Sequence, residues 1–172
     1  MEPGALDARP DLTRSLRNAF GCFASGVAVV SVLDRSGSPT GITVNSFSSL
    51  SLEPALLLFS IGCEQASARW FHSQDSFNVN VLCREQEHLA WQFAKPLENK
   101  FARVDSWRAR NGVPVIDGAM AFFVCRKYGI VEGGDHQIVI GEILDFGTRD
   151  AEPLVYLKGR MREIAAERRP AV

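Results

Sequence analysis

The 172-residue chain has no Cys-x-x-Cys pair, no His-x-x-x-His, no excess of charge of either sign and no long apolar run. Each absence removes a class of function. The cysteines stand alone at positions 22, 63, 83 and 125, so neither a zinc site nor a dithiol redox site is spelled out. Most have apolar neighbours, as in Phe122-Phe123-Val124-Cys125, and read as small buried hydrophobes in a reducing, cytoplasmic setting. His72, His88 and His136 share no ligand spacing, and no metal is expected. With 19 basic residues against 20 acidic, the chain lacks the cationic excess of a nucleic-acid binder. The longest apolar run, Ala119 to Cys125, is 7 residues, where a bilayer asks for roughly 20. The N-terminus carries Glu2, Asp7 and Asp11 rather than an apolar signal stretch, so neither secretion nor membrane insertion is expected. Gly-x-Ser-x-Gly, Gly-x-Gly-x-x-Gly and Gly-x-x-x-x-Gly-Lys are also missing, which removes the usual nucleophile elbow and helix-N-terminal phosphate cradles.

What is present is an ordinary globular composition, 46% hydrophobic, 9% aromatic and 23% charged, of a length suited to one domain. Surface scaling allows such a chain to bury about 70% of its unfolded surface without staples. One stretch departs from the average. Ser36 to Cys63 holds a single charge, Glu53, where about six would be expected from composition. The same stretch holds Thr40, Thr43, Asn45, Ser46, Ser48, Ser49, Ser51 and Ser60.

Residues 1–12 read as a flexible segment. Asp11 or Thr13 then caps a helix with Leu12, Leu16, Ala19, Phe20 and Phe23 at helical spacing, ending near Gly21 to Gly26. Val27 to Leu33 is a β-branched strand turned back at Asp34 to Pro39, and Ala55 to Ile61 is a second buried run. Glu64 to His72 reads as a short helix, Phe77 to Leu82 as a half-buried strand of period two, and Arg84 to Phe93 as an amphipathic helix stopped by Pro96. Ala119 to Val131, Gln137 to Phe146 and Pro153 to Leu157 supply three more strands, and residues 161–172 a charged tail. The elements do not alternate as a βαβ series does. They predict a mostly antiparallel barrel with two or three peripheral helices.

Three features carry candidate chemistry. Gly41 to Pro54 offers neutral donors and acceptors suited to a flavin's pyrimidine edge, ribityl hydroxyls and phosphate; the same composition also suits a plain Ser/Thr-rich loop. Gly134-Asp135-His136 sits at a strand entrance, where Asp135 could fix the imidazole tautomer, or where the histidine is merely structural. In Asn99-Lys100-Phe101-Ala102, a lysine beside an aromatic could meet a phosphate or cover a ring, or be an exposed helix lysine.

Taken in order, Arg17 to Val30, Gly41 to Pro54 with its Thr-Val-Asn-Ser-Phe-x-Ser-x-Ser, Phe77 to Leu82, Lys100-Phe101-Ala102 and Gly134-Asp135-His136 before Ile140-Gly141-Glu142 resemble the flavin reductase-like family. The likeness runs from Thr13 to about 160. Two positions depart from it: Ser25-Gly26-Val27 stands where relatives often have Thr-Gly-Val, and Met161 follows Gly159-Arg160 where they often have an aromatic. The resemblance implies a mostly β split β-barrel of FMN-binding type and a homodimer. It further implies NADH- or NADPH-dependent reduction of FMN or FAD by hydride transfer, and delivery of reduced flavin to a partner monooxygenase. By motif matching, Thr43, Val44, Asn45 and Ser46 meet the isoalloxazine and ribityl parts, with Ser49 and Ser51 toward the phosphate. Ser60, Ile61, Gly62, Ala66 and Ser67 continue that wall, Phe93 and Lys100 close the pocket, and His136, the one catalytic assignment, meets the nicotinamide. The competing readings are a non-catalytic flavin- or haem-binding split barrel and an oxidase of pyridoxal-type substrates. Haem binding would want an axial ligand and basic residues for the propionates, which the Thr43 to Ser51 run does not supply; the pyridoxal reading would want several Arg and Lys, which the Ser36 to Cys63 stretch lacks.

Overall fold

The apolar runs of the sequence become the strands of one antiparallel sheet in the computed structural model, which describes residues 10–164. Helix α1 (Pro10–Phe20) opens on proline with Asp11 in its first turn, where a missing N–H and a negative charge are both favourable. Strands β1 (Ser25–Gly26), β2 (Ala28–Leu33), β3 (Pro39–Val44), β4 (Ser48–Leu52) and β5 (Ala55–Gly62) follow. Next come α2 (Ala68–Ser73), β6 (Ser76–Val81) and, after a 3-10 turn at Arg84–Gln86, α3 (Glu87–Ala94). Strands β7 (Ser106–Arg108), β8 (Pro114–Ile116), β9 (Ala121–Gly133), β10 (His136–Thr148), β11 (Val155–Leu157) and β12 (Arg160–Arg162) complete the described chain.

The main sheet runs β3-β2-β6-β9-β10-β5-β4. Its two edge strands, β3 and β4, are consecutive in the chain and joined only by Asn45 to Phe47. A link that short spans at most about 14 Å, so the sheet has to curl until its edges meet. No ladder closes the seam. Instead the Ser46 hydroxyl donates to the Ser60 carbonyl at 3.0 Å and accepts from the Ser60 N–H at 2.9 Å, a side-chain clip between the β3–β4 link and β5. The result is the split barrel the sequence predicts, with β1-β11-β12 and the β7–β8 hairpin as small satellite sheets.

Inside the barrel, Phe59, Phe71 and Phe77 pack edge to face, with centroids 5.2 to 6.1 Å apart. Each such ring, fully buried, contributes about 1.5–3 kcal/mol of hydrophobic stabilisation. Strand β2 is buried on both faces: Ala28, Val30 and Val32 enter this core, while Val29, with Val27 just before the strand, clusters with Leu89 and Phe93 of α3. Gly134, at a φ of +75°, turns β9 into β10.

Several expectations change. Strand β6 is not half-buried, because its polar face is covered by the β7–β8 hairpin, and Asn78 and Asn80 are fully buried. Asn80 donates to the Val29 carbonyl at 3.0 Å and accepts from the Ile116 N–H at 2.8 Å; Asn78 donates to the Val113 carbonyl at 2.9 Å. Their amides stand in for a missing ladder between two sheets. The Ser/Thr-rich stretch is not all loop, since Ser48 to Leu52 forms β4 against β5. The helix expected over Glu64 to His72 starts only at Ala68. The apolar stripe of α1 finds no cover among the described residues, with Phe20 and Phe23 69% and 82% exposed. Only Cys83 and Cys125 are buried, whereas Cys22 and Cys63 are exposed. The flexible segment expected at 1–12 overlaps α1 from Pro10, and the tail expected at 161–172 overlaps β12; the remainder of each, 1–9 and 165–172, lies outside the described residues.

Two outcomes follow. Burial pushes the Cys125 thiol up to about 12, so alkylation of the folded protein should modify Cys22 and Cys63 and spare Cys83 and Cys125 until denaturant is added, as read by mass spectrometry. Asn80→Ala strands the Ile116 N–H in an apolar layer, and should lower unfolding free energy by about 2 kcal/mol in a urea titration.

Candidate functional site

Beside the seam, a groove of about 1310 Å³ opens between three pieces of chain. One side is the β2–β3 turn with Asp34, Ser38 and Thr40, and the floor carries Thr43. The second side is the approach to and start of α2, between Gln65 and Trp70, and the third is the continuous stretch from Phe93 to Phe101, the end of α3 and the chain after it. Trp70, Phe93, Leu97 and Phe101 bring apolar faces; Ser67 and Asn99 bring neutral polar groups; Arg69, Lys95 and Lys100 bring positive charge, and Asp34 and Glu98 negative charge. A planar ring system carrying a polyol phosphate asks for that mixture. The volume exceeds the ~300–1,000 Å³ usual for one ligand, leaving space for two rings.

Of the residues matched from sequence, Thr43, Ala66, Ser67, Phe93 and Lys100 line this groove. Thr43 is shared with a second cavity of about 170 Å³, where Val44 and Asn45 meet Trp91, Tyr156 and Met161. Ser46 and Ser60 form the seam clip. Ile61 is in the barrel core and can offer a ligand only its backbone. Ser49 and Ser51 lie along β4, paired with Leu57 and Leu56, and line neither cavity.

His136 also lines neither cavity. It opens β10 opposite Gly62, and a Cβ placed on Gly62 would stand 3.7 Å from its Nε2 and 3.6 Å from Cγ of Gln65, a groove residue. The imidazole therefore stands beside the α2 end of the groove. Its Nδ1 lies 2.8 Å from the Asp135 carboxylate. A carboxylate only accepts, so Nδ1 carries the proton and a neutral ring presents Nε2 as an acceptor. The hydrogen bond from His136 holds the exposed Asp135 carboxyl below its ordinary value.

Three of the polar side chains are already engaged. Thr43 Oγ1 donates to the Ala90 carbonyl at 2.7 Å, tying β3 to α3. Ser46 has its hydroxyl proton committed to Ser60 and keeps one acceptor lone pair. Lys100 Nζ donates to the Gly41 carbonyl at 2.9 Å and the Phe93 carbonyl at 2.8 Å. Burial holds the Lys100 ammonium below its ordinary value. These groups build the groove as much as they line it. The expectation of a nearly charge-free wall is revised too, since Arg69 and Lys95 join the lining from outside the neutral stretch. Arg69 stands 4.3 Å from the centre of the Trp70 ring. Sequence reading missed both, together with Trp70, whereas Asn99 belongs to the Asn99 to Ala102 feature it singled out. Pro96, as a helix stop, and the Lys100-Phe101 pair were the signals for that wall; nothing in the spacing of Arg69 pointed toward β3.

A family model described as flavin reductase like domain matches residues 20–165. The "Probable flavin reductase" of Rhizobium meliloti (strain 1021) is 43% identical over 150 residues, covering 85% of this chain and 47% of that protein. The chain likewise spans 47% of the reductase component of a flavin-dependent trigonelline monooxygenase from Acinetobacter baylyi, at 40% identity over 85% of the chain, so it is about half the length of these curated relatives. The "FMN reductase (NADH) SmoA" of Agrobacterium fabrum is 39% identical, with 86% of this chain and 83% of that one covered. Among solved structures, the Streptomyces globisporus NADH:FAD oxidoreductase SgcE6, in complex with NAD and FAD fragments, superposes with a TM-score of 0.86 at 35% identity, covering 91% of this chain and 95% of that one. With the split barrel, the groove and this likeness together, the chain belongs to the flavin reductase-like family.

Proposed function

We propose that this protein reduces free flavin, FMN or FAD, with NADH or NADPH and delivers it to a partner flavin-dependent monooxygenase. The observation that carries the reading is the groove itself: aromatic faces, hydroxyls, the cations Arg69, Lys95 and Lys100 and the carboxylates Asp34 and Glu98 converge on one cavity beside the barrel seam. Its relatives' names, an FMN reductase (NADH), an NADH-dependent FAD reductase and several monooxygenase reductase components, support it. When bound, flavin supplies the ring that accepts a hydride at N5 from C4 of the nicotinamide.

The chain's own part is placement. Thr43 to Ser46 present the β3 edge to the ring, Phe93 and Trp70 offer faces for packing, and Ser67, Arg69 and Lys95 suit the phosphate end. Ser60, Gly62 and Ala66 continue the wall toward α2, and Ile61 holds it from the core side. Ser49 and Ser51 receive no role in the groove of a single chain. His136 meets the nicotinamide: Nε2 can accept from a carboxamide N–H, which orients the ring without moving a proton. A homodimer is part of the reading, supported by the exposed Phe20, Phe23, Leu52 and Phe146, apolar surface that a lone copy leaves in water. Cytoplasmic location is supported by four unpaired cysteines. No helix among the described residues is long and apolar enough to cross a membrane.

Purified protein should oxidise NADH or NADPH only when FMN, FAD or riboflavin is added; no flavin-dependent oxidation of either nucleotide overturns the enzyme reading, and flavin or haem binding without turnover would mark a carrier. His136→Ala should raise the KM for the nicotinamide nucleotide about tenfold while leaving flavin affinity nearly intact. Unchanged nucleotide kinetics would remove His136 from the site.

A further inference from the structure

We propose that Lys100 acts as a positioning residue that, with Gln92, fastens the movable wall of the groove to the barrel, rather than as a group that holds flavin. The inference rests on the flavin-reducing reading above.

The wall, Lys95 to Asn99, is exposed throughout and forms neither helix nor strand. Its internal hydrogen bonds are local, from the Lys95 N–H back to the Gln92 carbonyl and from the Leu97 N–H to the Lys95 carbonyl. Among the described residues, the one hydrogen bond from the stretch Ala94 to Phe101 to the main sheet is Lys100 Nζ to the carbonyl of Gly41, on edge strand β3.

The same ammonium donates to the carbonyl of Phe93, in the last turn of α3. Helix geometry leaves that carbonyl without a partner, and its partial negative charge favours a cation there. Gln92 completes the arrangement from the other direction. Its Nε2 donates to the backbone carbonyl of Lys100 at 2.8 Å and that of Ala102 at 3.2 Å, without lining the groove. The end of α3 thus grips the returning chain through Gln92, and the returning chain grips α3 and β3 through Lys100.

Packing requires the same register. The Phe93 ring lies against Gly41, where a Cβ would come within 3.2 Å of it and 2.7 Å of the Val30 carbonyl, and Phe101 meets Phe93 edge to face at 4.9 Å. Released from Gly41, the wall would carry Phe101 and Leu97 away from the ring site and widen the groove. Two of the three donors of Lys100 are used on carbonyls, so its charge is committed to the fold before any ligand arrives.

Riboflavin, FMN and FAD separate positioning from direct contact, because riboflavin has the ring and no phosphate. Lys100→Met should weaken binding of all three by a similar factor of about ten, measured by quenching of flavin fluorescence. Gln92→Met, outside the groove, should reproduce the pattern, and the double variant should be no worse than about the larger single effect, since both remove one clasp. Arg69→Gln is the contrast, weakening FMN and FAD and sparing riboflavin. Cleavage after Glu98 by a glutamate-specific protease should quicken in both clasp variants while the thermal midpoint stays near wild type. If Lys100→Met spares riboflavin, or Gln92→Met leaves flavin binding unchanged, Lys100 holds the phosphate directly and the proposal fails. If the wild type binds none of the three, it is the flavin reading that falls.

Discussion

A sheet that curls without closing leaves edge backbone groups with no strand to pair with, and every other feature of this protein is arranged around that seam. The short link from β3 to β4 forces the two edges together, yet no ladder joins them. Ser46 meets Ser60 there with both halves of its hydroxyl, and Lys100 reaches the Gly41 carbonyl on the same edge strand. Unpaired backbone groups are costly when buried and attractive to a polar ligand when open. A groove beside such a seam is a natural place to hold a molecule with donors and acceptors along one edge.

The low charge of Ser36 to Cys63 has a structural cause. That stretch becomes β3, β4 and β5, and two of the three have a buried face packed on the aromatic core. A charge on β3 or β5 would face Phe59 or Phe71 at a desolvation cost of several kcal/mol. Hydroxyls fit because each can satisfy a nearby carbonyl, as Thr43 does for Ala90. The cations of the groove come from α2 and from the loop after α3, outside the barrel wall, where water still reaches them.

Rigid and adaptable parts are divided accordingly. The Phe59, Phe71 and Phe77 cluster and the buried Asn78 and Asn80 amides fix the barrel, while the ligand-facing wall after α3 is held at its ends. Binding elements commonly come from the less stable end of a fold, because a groove that admits and releases its ligand has to yield somewhere.

The alternation and β-branching of Val27 to Leu33, Ala55 to Ile61 and Gln137 to Phe146 determined strands, and the turns at Asp34 to Pro39 and Gly133-Gly134 determined their antiparallel return. Local chemistry suffices for such features, because a turn or a strand face depends on residues a few positions apart. The family likeness was legible as well, since its motifs are short and contiguous. Only the tertiary structure decided that Asn78 and Asn80 are buried, that Thr43, Ser46 and Lys100 bond to backbone carbonyls, and that Arg69 and Lys95 border the groove. Each of those facts turns on a partner brought in from a distant part of the chain: the β7–β8 hairpin over β6, β5 across the seam from Ser46, and α3 against β3. A sequence shows which side chains can donate a hydrogen bond, whereas which acceptor stands at the right distance is settled by packing alone.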